Sequence, residues 1–332
     1  MHSQKNRWYV ATTGAALGML FLQTVSAAAS PDSKPAVPNN KPAAAPASKS
    51  PKLTWAPPTL TAPTTVTVSE SNRDLKLDPN KDYIIKMPAT PLKVMGGLIV
   101  SGGRNVVLIG GVIEAPDGER QGLSHRALYL RGQTGTLHLE GLLIRGDKLE
   151  EGFNLDQREG AVLQLQNIRI EKVHGSFSGH HADLLQTWAG PAELRIDRMT
   201  GTTDYQGFFL LPNQHFKGDV PKGFDFRRIN IIGTDSSAYM LWGPSNSTYP
   251  VNIQDVWVRP NPRTKKFTER DAFLWPKPAT GDKTWQAVQA GTPPGGDFVP
   301  AGVAGLSYVS PGYVLPPAVG AGSAIKPSLQ GK

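Results

Sequence analysis

The chain has 332 residues, a formal charge of +8 and no cysteine. Without cysteine it has neither disulfides nor thiolate chemistry, so the fold must be held by its core. The positive balance leans toward anionic partners, although part of it sits in Lys34, Lys41, Lys49 and Lys52 of a low-complexity stretch.

Taken in chain order, Lys5 and Arg7 precede a mostly apolar run from Val10 to Val25 that ends in small residues. A charged start, an apolar middle and the small-x-small site Val25-Ser26-Ala27 read as a secretory signal over residues 1–28. Thr12, Thr13 and Gln23 interrupt the run, which argues against an anchor. The mature chain is therefore expected to be secreted or periplasmic, with no membrane span once the signal is cleaved. Residues 29–58 are rich in Pro, Ala, Ser and Lys and predict a semi-extended, disordered tether. Residues 59–313 form the expected domain, and 314–332 a loose tail of Pro, Gly, Ala and Ser.

Within the domain a spaced pattern recurs, apolar-x-apolar-x-x-apolar-x-apolar. It fits Val107, Ile109 and Val112, then Leu137, Leu139, Leu142 and Ile144, then Leu163, Leu165, Ile168 and Ile170. Leu194, Ile196 and Met199 follow, with Gly201 in the last slot. Phe224, Phe226, Ile229 and Ile231 come next, then Val251, Ile253, Val256 and Val258. The second apolar position steps by 30, 26, 31, 30 and 27 residues. Alternation means that one face of each strand is buried, and the two-residue slip means a tight corner that keeps the apolar side inward. The corner positions are Gly111, Gly141, Asn167, Arg198, Arg228 and Asp255. Glycine, asparagine and aspartate tolerate left-handed backbone, so four of the six suit such a bend.

A second ladder opens a short apolar strand before each corner unit: Leu98, Leu128, Phe153, Leu184, Phe208 and Tyr239. Each repeat thus holds three short strands and one longer loop, and Asp82 to Met87 would add an early coil or cap. The prediction is an all-β, single-stranded parallel β-helix of about six to eight coils, right-handed by the usual hand of parallel crossovers.

The corner units, the run Gly102-Gly-Arg-Asn-Val-Val-Leu-Ile-Gly-Gly111 and the run His181-Ala-Asp-Leu-Leu-Gln186 resemble the pectin-lyase-like superfamily over roughly residues 60–260. The resemblance implies this fold, and a function among lyases, hydrolases, epimerases, esterases and non-catalytic adhesins of that group. The motifs of its calcium pectate lyases and polygalacturonases are absent, and Arg259-Pro-Asn-Pro-Arg263 only partly resembles one of them.

The densest polar cluster supplies the candidate site. It runs Ser178-Gly-His180-His181-Ala-Asp183-Leu-Leu-Gln186-Thr187-Trp188, then Thr203-Asp204-Tyr205-Gln206-Gly207, then Gln214-His215-Phe216-Lys217, then Asp235-Ser236-Ser237-Ala238-Tyr239 and Trp242. Registered on Leu184, Phe208 and Tyr239, the residues His180, Asp204 and Asp235 would form one outward column, and His181, Tyr205 and Ser236 the next. Expected catalytic groups are His180, His181, Asp183, Asp204 and His215. Expected sugar contacts are Gln186, Trp188, Tyr205, Gln206, Lys217, Tyr239 and Trp242.

Three chemistries compete for these groups. A lyase would use a histidine base, a tyrosine acid and a neutraliser such as Gln186 or Lys217. A hydrolase would pair two of Asp183, Asp204 and Asp235. Calcium assistance is possible, although Asp204 and Asp235 alone are thin for a calcium site, and no other cofactor is indicated. A structural reading, in which these groups bond loop backbone, stands beside them. The expected partner is an acidic polysaccharide and not nucleic acid; separately, Gly102-Gly-Arg-Asn does not make a phosphate loop, because no Gly-Lys-Ser/Thr and no helix follow. The leading expectation is a polysaccharide lyase or hydrolase. The alternatives are a non-catalytic glycan-binding or surface-attachment β-helix, or a factor in exopolysaccharide modification and export.

Overall fold

A strand that buries one face and then turns a two-residue corner can only close its core by stacking on a copy of itself. That arrangement is present throughout the computed structural model, which describes residues 52–118, 125–214, 221–234, 237–243, 249–261, 273–275 and 283–313. The opening rungs are β1 (Thr64–Thr67), β2 (Asp74–Leu77), β3 (Tyr83–Lys86) and β4 (Leu92–Lys93). Next come β5 (Leu98–Gly102), β6 (Val106–Ile109), β7 (Val112–Glu114), β8 (Arg126–Arg131), β9 (Thr136–Glu140) and β10 (Leu143–Arg145). The long strands β12 (Val162–Val173), β14 (Glu193–Thr203) and β16 (Gly223–Gly233) are preceded by β11 (Glu151–Asp156), β13 (Asp183–Ala189) and β15 (Phe208–Leu210), respectively. The chain then adds β17 (Leu241–Trp242), β18 (Val251–Arg259), β19 (Leu274–Trp275) and β20 (Gln289–Ala290).

All strand pairs are parallel and fall into two sheets. Sheet A has 12 strands and follows β1-β3-β6-β9-β12-β14-β16-β18-β20, with β4, β7 and β10 branching from β12. Sheet B has 8 strands and follows β2-β5-β8-β11-β13-β15-β17-β19. The fold is thus an all-β parallel solenoid. Five coils are complete, from β5 to β16, fewer than the six to eight expected; β17, β19 and β20 shrink to two residues each and leave partial rungs at the end.

The core is built of ladders. Leu108, Leu139, Leu165, Ile196, Phe226 and Ile253 stack in register, and Ile113, Ile144, Ile170, Gly201, Ile231 and Val258 form another such row. Fully burying one such side chain contributes about 1.5–3 kcal/mol, so the stack is the main source of stability. In the first coil the inward residues are Val106 and Leu108, one position earlier than the repeat suggested. The extra residue is absorbed by consecutive left-handed glycines, Gly110 and Gly111.

The corners confirm the reason for the slip. Gly110, Gly141, Asn167, Arg198, Arg228 and Asp255 all have positive φ, the two arginines at 57° and 48°. For a residue with a Cβ this conformation costs roughly 1–2 kcal/mol. Arg228 offsets it through a two-pronged ion pair with Asp197, at 2.7 Å for Nε to Oδ1. At Gly141 a Cβ would lie 2.0 Å from the Tyr308 ring, so no other residue fits under that ring.

Two terminal segments lie across the outside of sheet A. The backbone N–H groups of Thr54 and Trp55 donate to Gln166 Oε1 at 3.0 and 3.1 Å, and Thr54 Oγ1 bonds Asp197. Residues 52–56, expected to belong to a disordered tether, are therefore held on β12, β14 and β16. From the other end, Asp297 pairs with Arg169 at 2.9 Å, and the Tyr308 hydroxyl donates to Glu140 at 2.6 Å. These straps bury the polar rows of sheet A, including His138 and Glu140, both fully inaccessible. No helix among the described residues is long and apolar enough to cross a membrane.

Candidate functional site on the outer face of sheet B

The register of sheet B decides which side chains share a surface. Leu98 pairs with Leu128 and Leu128 with Phe153, as the sequence ladder has it. Beyond that point Phe153 pairs with Leu185, Leu185 with Phe208, and Phe208 with Leu241. Leu184 and Tyr239 are thus off by one and two residues, so His180 does not share a column with Asp204; the His181 and Tyr205 rings do meet, 5.3 Å apart, and Asp235 and Ser236 lie outside the described residues. The register differs because four of the sheet B strands open on two consecutive inward residues rather than one. Ala127-Leu128, Leu184-Leu185, Met240-Leu241 and Phe273-Leu274 all belong to the core. Gly152 and Gly207 take the first slot ahead of Phe153 and Phe208; a Cβ on either would meet a core isoleucine, Ile170 or Ile231.

The residue before each doublet begins an outer row: Arg126, Glu151, Asp183, Gln206 and Tyr239. Glu151 is paired in register with both Arg126 and Asp183, so neighbouring Cα atoms in this row lie about 4.8 Å apart. Arg126 and Glu151 were not among the sequence candidates. Aligning the chain on the inward doublet, instead of on a single apolar residue, would have found both.

Glu151 and Asp183 are buried, only 6% and 1% exposed. Burial pushes the Asp183 carboxyl well above the usual range, and the adjacent Glu151 charge adds to this. Glu151 is also pushed up by burial, against the opposing effect of His180, Asn154 and the Arg126 charge. His180 Nε2 lies 2.9 Å from Glu151 Oε1, and Asn154 donates to Oε2 at 3.1 Å. Asp183 Oδ1 and both amide atoms of Gln206 have no hydrogen-bond partner among the described residues. Two like charges stacked one strand apart and desolvated do not both ionise readily, so the pair retains a proton that simple carboxylates would lose.

The next outer row is Tyr129, Asn154, Gln186, Phe209 and Trp242. Trp188 packs edge-on to Tyr129 with ring centres 5.2 Å apart. The Arg126 guanidinium sits 5.3 Å from the Tyr129 ring and 5.5 Å from the Trp188 ring, and Arg131 is 5.3 Å from Tyr129 on its own side. Toward the later coils the rings become continuous. Phe177 stacks on His181 at 6.1 Å, the His181 ring meets Tyr205 at a tilt at 5.3 Å, and Tyr205 meets Tyr239 edge-on at 6.3 Å. Tyr239 then meets Trp242 at 5.3 Å, and Trp242 meets Phe209 at 4.5 Å. Burial raises the Tyr205 hydroxyl, with Tyr239 and Asp183 contributing.

The sequence candidates separate accordingly. His180 and Asp183 meet at the Glu151 carboxyl pair. Asp204 is set apart: it accepts from the Gly175 N–H at 2.6 Å, lies 3.1 Å from His174 Nδ1, and so ties down the loop that carries His180. His181 Nε2 lies 3.1 Å from the Phe177 carbonyl, and its ring joins the aromatic line. Gln186 donates to Gln214 at 3.1 Å on the same face. Tyr239, Trp188 and Trp242 lie half-buried on this face and Tyr205 and Gln206 are buried in it, whereas His215, Phe216, Lys217, Asp235 and Ser236 lie outside the described residues. Among the described residues no three metal-binding side chains cluster.

Sheet B thus carries exposed and half-buried rings, joined through the buried Tyr205, beside a buried acid pair, while sheet A is crossed by residues 52–56 and by the segment around 297–308. Compared with family models, curated proteins and solved structures, the chain matches none.

Proposed function

We propose that this chain holds a polysaccharide against the outer face of sheet B, with the glycan running along the solenoid axis across successive coils. The observation that carries the reading is the aromatic line from Phe177 through His181, Tyr205, Tyr239 and Trp242 to Phe209, with every ring-to-ring step between 4.5 and 6.3 Å. Phe177 and His181 are exposed and Tyr239, Trp242 and Phe209 half-buried, so these five rings offer apolar faces to sugar rings and polar edges to their hydroxyls, while the buried Tyr205 joins them into one line. Arg126 and Arg131 beside Tyr129 give the opposite end of the face a positive character, which favours an acidic glycan. The solenoid and the loop over its sheet B edge agree with the resemblance to the pectin-lyase-like superfamily. The leader-like N-terminus agrees with export to the periplasm or beyond.

A second reading, cleavage of the glycan, is favoured by the Glu151–Asp183 pair. A carboxyl whose burial makes it hold its proton to higher pH can give that proton to a departing glycosidic oxygen, while its partner activates water or attacks the sugar. In this reading the pair is Glu151 and Asp183 rather than Asp183 with Asp204, and His180 must release Glu151 before sugar reaches it.

The test incubates the chain with a panel of acidic and neutral polysaccharides and follows retention in affinity gels together with reducing ends and absorbance near 235 nm. Retardation by an acidic glycan that weakens at least tenfold in Trp242→Ala supports binding. Reducing ends lost in both Glu151→Gln and Asp183→Asn support cleavage. Absence of retardation by every glycan in the panel overturns the proposal.

A further inference from the structure

Arg198 stands out among the corner residues. Four of the six are Gly, Asn or Asp, which adopt the left-handed conformation at little cost. Arg228 gains an ion pair there and holds Thr54 of the N-terminal strap. Arg198 has the same strained backbone, φ 57°, but forms no hydrogen bond or ion pair among the described residues, and its Nε is buried without a partner. The carboxylate nearest to hand, Asp197, is already claimed by Arg228. Among the described residues nothing offsets the strain at Arg198.

The side chain lines a cleft of about 640 Å³ between the A-sheet corner and the turn at 293–298. Trp257, Asp255 and Gln289 line the same cleft, with Trp257 half-buried and Asp255 exposed. From these residues we infer that the cleft is a second binding site, separate from sheet B, for a single acidic sugar unit. Its carboxylate would meet the Arg198 guanidinium, a planar donor fork suited to carboxylate oxygens. Its ring face would lie on Trp257, and its hydroxyls would donate to Asp255 and Gln289. A bare anion would leave Trp257 unused. An acidic peptide would bring further carboxylates toward Asp255 and Asp297, so the mixed lining selects one negative group on a hydroxylated ring.

The experiment titrates the full chain with glucuronate, glucose and acetate and follows the Trp257 indole N–H by NMR, identified by its loss in Trp257→Phe. Glucuronate should shift that signal, while glucose and acetate at equal concentration should not. Arg198→Gly should weaken the glucuronate response at least tenfold while keeping or raising Tm, because glycine relieves the left-handed backbone. Arg198→Asn serves as a second variant with the same expectation. The response should persist in Trp242→Ala, which separates it from the sheet B face. A wild-type signal unmoved by glucuronate, a response kept in Arg198→Gly, or an equal response to acetate overturns the inference.

Discussion

Replacing Asp183 with asparagine tests the acid pair without disturbing its shape. Asparagine has nearly the size of a protonated aspartate but cannot ionise. In the unfolded chain Asp183 titrates near 4, whereas in the fold burial and the neighbouring Glu151 hold its pKa well above that. A group whose folded pKa is raised stabilises fully below its unfolded value and loses that contribution as pH rises toward the folded one. The wild type should therefore lose about 1.4 kcal/mol per pH unit from this residue, over the range above pH 4 in which the folded carboxyl keeps its proton. At pH 4.5 Asp183→Asn should match the wild type within about 1 kcal/mol, because both carry a neutral, poorly partnered group. At pH 8 it should be the more stable protein by at least about 1 kcal/mol, and Glu151, freed of its neighbour, should titrate lower. Urea unfolding at pH 4.5, 6 and 8 measures this directly. A variant equally destabilised at all three pH values would refute the shared-proton reasoning.

Two further substitutions probe the scaffold. Asp82, whose carboxylate is inaccessible, is held down to about 2, chiefly by its hydrogen bond to Arg104, with help from the Thr61 and Asn105 N–H groups. A lowered pKa stabilises above the unfolded value and is lost as pH falls. Asp82→Asn should therefore cost about 1–2 kcal/mol at pH 7, trimmed by the solvent exposure of Arg104, with the cost vanishing between pH 4 and 2 in acid unfolding. Gly141→Ala places a Cβ into the Tyr308 ring at a backbone with φ 70°. It should lower stability by roughly 2–4 kcal/mol and expose residues 297–308 to proteolysis, read by mass spectrometry of timed digests.

How much of this was legible in the sequence differs between the two sheets. On sheet A the corner spacing fixed both the strand pairing and the left-handed positions, because a missing or extra residue there would turn every apolar side chain outward. The single slip, at Gly110-Gly111, occurred where two glycines make a wider corner possible. Sheet B was harder to read because four of its strands open on two adjacent inward residues, so one apolar marker per coil left the register free by one or two places. That freedom hid Glu151 and Arg126, whose types alone carry no signal on a solenoid surface. It also promoted Asp204, an aspartate that in fact anchors the His180 loop through Gly175 and His174. The straps could not be read at all. Thr54 and Trp55 sit in a stretch of disorder-like composition, and their partners Gln166 and Asp197 lie more than a hundred residues away.

The most direct measurement of the central proposal is saturation-transfer NMR of an acidic oligosaccharide bound to the full chain, repeated with Trp242→Ala and with Arg227→Ala. Arg227 lies on sheet A, where it covers Trp55. The account predicts sugar-ring signals with the wild type and with Arg227→Ala, and their loss or at least tenfold weakening with Trp242→Ala. Equal signals from all three proteins, or none from the wild type, would contradict it.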